Sequence, residues 1–154
     1  MEEKRCAIQR YSSVLYRLSS IYFDQALAPF HIGSGQQFFL LRIGDHPGIS
    51  VQELARQGCY DKATAARAVQ KLAEQAYIRV EPDPDDKRIH RLYLTGQAEP
   101  IIRETRNMLG RWNEILMCGI REEEQKTAER LMSRMAQNAS GHLAKRKKER
   151  EWND

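Results

Sequence analysis

The chain has 154 residues, of which 41% are hydrophobic and 30% are charged, and its formal net charge is +4 at pH 7. This length suits one domain, or one domain with additional helices, and leaves no room for a second catalytic domain. The positive charge permits binding to a polyanion but does not establish it, because segment 50–95 carries eight Lys or Arg against seven Asp or Glu.

The first predicted element is a long helix. Apolar residues recur at three- and four-residue steps from Ile8 to Ala26, which is typical of an amphipathic helix, and Pro29 ends it. A second, short helix is opened by an S-x-x-Q capping box at Ser34 and stops before Pro47. The high apolar content of this second helix predicts that it is buried.

Two more short helices follow, joined by a tight connection. Ser50 and Glu53 form another capping box, and the helix that it opens ends near Gly58. The next helix is predicted from Asp61, its N-cap, to Ala76. Its inward stripe is expected to hold Ala65, Val69, Leu72 and Ala76. Its outward face, which is polar and partly basic, is expected to present Lys62, Thr64, Arg67, Gln70 and Lys71.

A β-hairpin is predicted next. Ile78 and Val80 precede a charged turn that contains proline, and Leu92 and Leu94 follow it with the period-2 spacing that places alternate side chains on one buried face. Arg88 therefore lies in an exposed loop. The order helix, turn, helix, hairpin predicts a winged helix-turn-helix.

Two long helices complete the chain. Thr95 is the predicted N-cap of the first, and Pro100 is tolerated because it falls within the first turn or so. Gly119 breaks this helix, and the last helix is predicted from Glu122 to about His142. Its inner side would carry Ala128, Leu131, Met132, Met135 and Asn138.

The predicted fold is mainly α with a small β-hairpin wing, in a single domain that spans residues 1–154. Residues 34–95 form the winged helix-turn-helix lobe, residues 5–28 and 96–144 form long helices for dimerisation, and residues 145–154 are a charged tail. The dimerisation prediction follows because the first and last helices carry more apolar surface than one small lobe can cover.

The helix that starts at Asp61 is suited to the major groove of DNA, where an arginine can donate two hydrogen bonds to a guanine edge. Arg67 is the best candidate for this contact, and Arg88 is expected to enter the flanking minor groove, held by a salt bridge from Asp86. Alternatively, Asp86 and Arg88 only pair across a solvated turn, where such pairs are worth about 0–1 kcal/mol. The predicted DNA-binding residues are Ser50, Gln52, Lys62, Thr64, Arg67, Gln70, Lys71, Asp86, Lys87, Arg88 and Arg91.

The spacing Asp86-x-Arg88-x-x-x-Leu92-x-Leu94-Thr95 resembles the wing signature of the MarR family of bacterial transcription regulators. The resemblance covers residues 11–138 and is strongest over 49–95. It implies a homodimer that binds double-stranded DNA at an inverted-repeat operator, as a repressor that a small-molecule effector releases. The chain departs from the family pattern at Ala66, where a hydroxyl residue is common, at Ala76, where glycine is usual, and at segment 96–98.

By analogy with the family, an effector pocket is expected where the dimerisation helices meet the DNA-reading lobe. The residues that would line it are Tyr22, Phe30, His31, Phe38 and Trp112. His31 would be the polar anchor for a small aromatic effector. The alternative is core packing, because an aromatic residue at helical spacing is most often buried.

Other functions remain as alternatives. Oxidation of Cys59 or Cys6 would make the protein a redox-responsive regulator, and a winged helix can also serve as a module for contacts with protein or RNA. An enzyme is not expected, because the sequence has no nucleophile elbow, glycine-rich phosphate loop or metal-ligand spacing. We expect no metal, no cofactor and no membrane span, and a cytoplasmic location.

Overall fold

The structure is a computed structural model that describes the backbone of residues 7–153 and the side chains of residues 7–145. The helices described are α1 (Ala7–Leu27), α2 (Ser34–Asp45), α3 (Val51–Gly58), α4 (Lys62–Glu74), α5 (Glu99–Met117) and α6 (Glu122–Asn153). The strands described are β1 (Ile49–Ser50), β2 (Ile78–Pro82) and β3 (His90–Leu94). Short 3-10 helices span Ala28–Phe30 and Gly96–Ala98.

The chain divides into two compact units, one up to Trp112 and the other from Asn113 onward. The first unit contains the helix-turn-helix, the sheet and the core. Side chains of α1 to α5 and of the sheet build this core, and its largest fully buried members are Leu27, Phe39, Leu40, Ile43, Leu54, Leu72, Leu92, Thr105 and Met108. The predicted mainly α fold with a hairpin wing is confirmed.

The three strands form an antiparallel sheet in the order β1-β3-β2. Leu92 lies in the central strand opposite both Ile49 and Val80, and it is fully buried. The prediction that Ile78 and Val80 share a buried face was wrong for Val80, which is 43% exposed. Of the five residues of β2 only the first, Ile78, is buried, so the strand leaves the core before Val80.

The N-terminus of α2 differs from the predicted capping box. The N-cap is Gly33, not Ser34, and Gln36 Oε1 accepts a hydrogen bond from the Gly33 amide at 3.0 Å. Asp24 of α1 decides the shift, because its Oδ1 accepts the Ser34 amide at 2.7 Å. A side chain at position 33 would collide with this carboxylate, since an added Cβ would lie 2.5 Å from Asp24 Oδ1.

α4 ends earlier than predicted. Ala76 lies beyond the helix with φ of 58° and is exposed, so Ala68 takes its place in the buried stripe. The left-handed residue closes the helix, because the Tyr77 amide reaches back to Leu72 O at 3.0 Å. Thr95 does not cap α5 with its side chain; its hydroxyl donates to Ala76 O at 2.6 Å.

The last two helices follow the prediction except at the start of α5, which is Glu99, and at the C-terminus. Pro100 lies in the first turn of α5, and Gly119 has φ of 75° after that helix ends, as predicted. The helix predicted to end near His142 continues to Asn153, because the segment after Gly141 is rich in Lys, Arg and Glu, which are strong helix formers. Part of the predicted charged tail, the side chains after residue 145, lies outside the described residues.

Candidate nucleic-acid interface

The N-terminus of α3 is fixed by a complete capping box, as predicted. Ser50 Oγ accepts the Glu53 amide at 3.2 Å, and Glu53 Oε2 accepts both the amide and the hydroxyl of Ser50 at 2.8 Å. These hydrogen bonds, led by the one from the Ser50 amide, lower the pKa of Glu53. Gln52, in the first turn, is exposed. The helix therefore begins at a defined residue and presents its first turn to solvent.

The N-terminus of α4 carries a short relay of hydrogen bonds. Asp61 Oδ1 accepts the Thr64 amide at 2.8 Å, and Asp61 Oδ2 accepts the Thr64 hydroxyl at 2.7 Å. Arg67 Nη2 donates to Thr64 Oγ1 at 3.1 Å. The bonds from Thr64 lower the pKa of Asp61, the side-chain bond most strongly. This relay confirms the predicted N-cap and holds the guanidinium of Arg67 along the exposed face of α4.

The rest of that face is polar. Lys62, Arg67, Gln70 and Lys71 are all exposed, whereas Thr64 is partly buried. Gln70 donates through Nε2 to Glu74 Oε1 at 2.9 Å, one turn further along the helix. The five outward residues predicted from the sequence therefore lie on the solvent side of α4.

The turn between α3 and α4 is packed with aromatic rings. Tyr60 lies 4.8 Å from Phe39 and 5.4 Å from Phe38, measured between ring centroids. Gly58 makes room for them, since a Cβ there would lie 2.5 Å from the Tyr60 ring and 2.6 Å from the Phe38 ring. Cys59 follows as an exposed residue with φ of 55°. The rings of α2 thus set the spacing between the two helices.

The side chain of Arg88 extends from the wing into solvent and forms a salt bridge with Asp86. Its Nε and Nη2 donate to the two carboxylate oxygens of Asp86, each at 3.0 Å, and its amide donates to the same carboxylate. The pairing lowers the pKa of Asp86 and raises that of Arg88, mainly through the side-chain hydrogen bonds. The Arg88 side chain is 91% exposed, so the predicted salt bridge exists and the guanidinium remains accessible. Lys87, beside it, is also exposed.

A cleft of about 280 Å³ separates the wing from the helix-turn-helix. Its walls come from the N-terminus of α3, the first turns of α4 and the wing, and they are Ser50, Val51, Gln52, Lys62, Ala66, Arg88, Ile89 and His90. Four of the predicted residues are therefore brought together here. Ala66, Ile89 and His90 were not predicted as site residues, although Ile89 and His90 immediately follow the signature arginine. Val51 was expected only to face inward.

Arg91 is placed differently from the other predicted DNA-binding residues. Its side chain is 32% exposed, and its Nε donates to Asp83 Oδ2 at 2.7 Å. Its Nη1 donates to Gly48 O at 3.2 Å. The guanidinium is thus turned toward the protein, in contrast to that of Arg88.

The five residues predicted for an effector pocket fall into more than one environment. Tyr22 stacks on Trp112 with ring centroids 4.8 Å apart, and Trp112 Nε1 donates to Ser19 Oγ at 3.0 Å. Phe38 instead belongs to the ring cluster beside the helix-turn-helix. None of the five lines the cleft between wing and helices.

Phe30 and His31 lie at the turn that follows α1. Phe30 is partly buried, and its carbonyl accepts the Tyr77 hydroxyl at 2.9 Å. His31 is exposed with φ of 57°, and its amide closes the 3-10 helix by donating to Ala28 O. The backbone of both residues therefore has a structural role at this turn.

Two features of the described residues bear on other functions. No group of three or more His, Cys, Asp or Glu within 7–145 is arranged to hold a metal ion. No helix within the described chain is long and apolar enough to cross a membrane. Cys6 lies outside the described residues, and Cys59 is the only one of the two predicted redox candidates that the structure describes.

Comparisons with known proteins agree with this geometry. The model of the MarR family matches residues 34–90, which contain the helix-turn-helix and the wing up to His90. The transcriptional regulator YybA of Bacillus subtilis is 34% identical over 104 residues, which are 68% of this chain and 69% of that protein. The regulator BilQ of Clostridium symbiosum is 27% identical over 89% of this chain and 95% of its own length.

Solved structures with a similar fold also include transcription regulators of the MarR family. A MarR transcriptional regulator from Methanosarcina mazei superposes with a TM-score of 0.80 at 30% identity, covering 87% of this chain and 96% of that one. The relatives are transcription regulators and not enzymes. With the exposed helix α4, the capped α3 and the arginine-bearing wing, the chain belongs to the MarR family of DNA-binding transcription regulators.

Proposed function

We propose that the protein is a homodimeric repressor that binds an inverted-repeat operator and is released by a small aromatic effector. The observation that carries the DNA-binding part is the convergence of α3, α4 and Arg88 on one open cleft. Each half of the dimer would read one half-site. Regulators of this family bind DNA and act as dimers, which supports the proposal for this chain.

In this proposal α4 lies in the major groove. Arg67 donates to a guanine edge or a nearby phosphate, with Thr64 holding its Nη2 in advance. Lys62, Gln70 and Lys71 contact phosphates or base edges from the same exposed face. At α3, the N-terminus of the helix and the side chains of Ser50 and Gln52 approach phosphate, because a helix N-terminus favours an anion.

The wing reaches the minor groove beside the half-site. Arg88 is suited to it because the side chain is 91% exposed while Asp86 fixes the plane of its guanidinium. A narrow minor groove in A·T-rich DNA has an enhanced negative potential that attracts arginine. Lys87 would add a contact to the adjacent phosphate.

The dimer would form through α1 and α6. Both helices expose large apolar side chains in the single chain, at Ile8, Tyr11, Leu15, Leu18 and Ile21 of α1 and at Leu131, Met132, Met135 and Leu143 of α6. Contiguous apolar surface of this kind is normally covered by another protein surface. A second copy of the chain is the occupant that the family favours.

The effector part of the proposal concerns Tyr22, Phe30, His31, Phe38 and Trp112. Stacking of Tyr22 on Trp112 supports it, because a planar ligand can stack on either ring. Trp112 fluorescence would report binding in a Trp152→Phe variant, which has no other tryptophan. Saturable quenching by aromatic compounds that also release DNA is expected, and quenching without release would contradict the effector role.

The experiment that tests the DNA-binding proposal is selection from a random pool of duplex DNA, followed by sequencing of the bound fragments. We expect enrichment of an inverted repeat with half-sites about one helical turn apart, roughly 34–36 Å, or a multiple of that distance. Enrichment of a single unrepeated half-site would contradict the dimer, and no enrichment would contradict sequence-specific binding.

A further inference from the structure

The side chain of Arg91 joins three segments of the first unit. Its Nε donates to Asp83 Oδ2 at 2.7 Å, its Nη1 donates to Gly48 O at 3.2 Å, and the same Nη1 lies 3.6 Å from Glu53 Oε2. Asp83 follows β2 at the start of the wing turn, Gly48 precedes β1, and Glu53 lies in the first turn of α3. We call this group of Asp83, Arg91, Gly48 and Glu53 the Arg91 bridge.

The Arg91 bridge continues toward the tip of the wing. Asp83 Oδ1, the oxygen that does not bind Arg91, accepts the amides of Asp85 at 2.9 Å and Asp86 at 3.0 Å. Asp86 in turn holds the guanidinium of Arg88 through two hydrogen bonds. A continuous series of hydrogen bonds and ion pairs therefore leads from the cap of α3 to the exposed arginine.

A wing of this size needs such an anchor. A two-stranded hairpin is at best marginally stable by itself, and the third strand, β1, contributes only two residues. Val80 and Ile89 are partly exposed, so apolar packing holds the outer part of the wing weakly. Charge-assisted hydrogen bonds with defined geometry can supply the missing orientation.

We infer that Arg91 is a positioning residue: the Arg91 bridge sets the angle of the wing against α3, so that Arg88 reaches the minor groove while α4 occupies the major groove. This inference rests on the proposed wing contact and gives Arg91 a role that differs from direct contact with DNA. The Asp83 side chain is only 12% exposed, and its pKa is lowered to about 2, first by the hydrogen bond from Arg91. The carboxylate is therefore charged throughout the neutral range.

The first test compares two substitutions that remove the same charge from the wing. Asp83→Asn breaks the Arg91 bridge, whereas Asp85→Asn removes a neighbouring exposed carboxylate that makes no ion pair among the described side chains. If charge alone matters, both variants bind duplex DNA as well as or better than the wild type. Positioning predicts that Asp83→Asn binds about tenfold more weakly while Asp85→Asn does not. Equal or tighter binding by Asp83→Asn would overturn the inference.

The second test is a double-mutant cycle between Arg91→Gln and Arg88→Ala, with DNA affinity measured by fluorescence anisotropy at several salt concentrations. If Arg91 acts through Arg88, its substitution weakens binding in the wild type and has little further effect in the Arg88→Ala background. If Arg91 contacts phosphate directly, the two losses add and the salt slope falls by about one more unit. Additive losses would overturn the inference.

The third test does not need DNA. Hydrogen exchange at the amides of Asp85 and Asp86 should accelerate in both Asp83→Asn and Arg91→Gln, and remain unchanged in Arg79→Gln, a matched change on the same sheet. Unchanged exchange in Arg91→Gln would overturn the positioning role. If Arg88→Ala leaves DNA affinity intact, the proposed wing contact fails, and this exchange measurement still decides whether Arg91 orders the wing.

Discussion

At the residue scale, the two arginines proposed to touch DNA are held in different ways. Arg67 has one hydrogen bond to Thr64, which leaves most of its donors free for a base edge. Arg88 donates two hydrogen bonds, from Nε and Nη2, to the two carboxylate oxygens of Asp86. The first arrangement is suited to reading a base in the major groove, and the second to inserting a fixed positive charge into a narrow groove.

These differences predict separate signatures for Arg67→Ala and Arg88→Ala. Loss of a bidentate base contact at Arg67 should cost about 1–3 kcal/mol and relax preference at one position per half-site. Loss of Arg88 should weaken binding more evenly and reduce discrimination at flanking A·T steps. Affinities for a panel of single-base operator variants would measure both. Identical specificity profiles for the two variants would contradict the assignment of grooves.

Asp86→Ala should resemble Arg88→Ala in a milder form. The guanidinium would keep its charge but lose the two hydrogen bonds that fix its plane. Anisotropy titrations on the same operator would give the ratio of the two losses, with Asp85→Ala as the control for the charge. Tighter binding by Asp86→Ala alone would indicate that the carboxylate only repels phosphate, and the orienting role would be rejected.

At the scale of elements, the turn between α3 and α4 depends on the absence of a side chain at position 58. Gly58→Ala should destabilise the protein and weaken DNA binding, because the new methyl group would push the rings of Tyr60 and Phe38 away. Gly110→Ala is the matched control, since nothing lies within 4 Å of its added Cβ and the change favours a helix by about 0.5–1 kcal/mol. Thermal unfolding would compare them, and equal shifts would contradict the packing argument.

The free energy of unfolding should depend on pH through the carboxylate of Asp83 in the wing. Because the pKa of Asp83 is lowered from 3.8 to about 2 in the folded protein, the stability that it contributes is fully present above pH 3.8 and is lost as the pH falls through about 2. The difference in free energy of unfolding between the wild type and Asp83→Asn should therefore be constant from pH 7 to pH 5 and shrink below pH 4. Denaturant titrations at several pH values would measure it. A difference that grows on acidification would refute the ion pair.

At the scale of the whole molecule, dimerisation should depend on the apolar side chains of α6. Met135→Glu places a charge among Leu131 and Met132 and should shift the protein toward a 17.9 kDa monomer. Ser133→Glu adds the same charge about half a turn away and should leave the dimer intact. Light scattering at micromolar concentration would decide between them. A folded, stable monomer of the wild type would contradict the proposed dimer.

Much of the fold follows from the sequence because its signals are local. The capping box at Ser50, the breaks at Pro29 and Gly119, and the alternation after Arg88 each depend on residues within a few positions of one another. The motif from Asp86 to Thr95 identified the wing, its salt bridge and the family for the same reason. Signals of this kind can be recognised without knowledge of any long-range contact.

The tertiary structure decided what depends on distant partners. The α2 helix starts one residue from the predicted position because Asp24 accepts a hydrogen bond from the Ser34 amide. The Thr95 hydroxyl donates to Ala76 O, just after α4, and does not cap a helix. Val80 is exposed because the core covers only the first residue of β2, Ile78, and no alternation pattern can reveal where the core ends. The sequence predicts Arg91 as a DNA-binding residue of the wing. Only the tertiary structure shows that its guanidinium donates hydrogen bonds to Asp83 and Gly48 of the same chain.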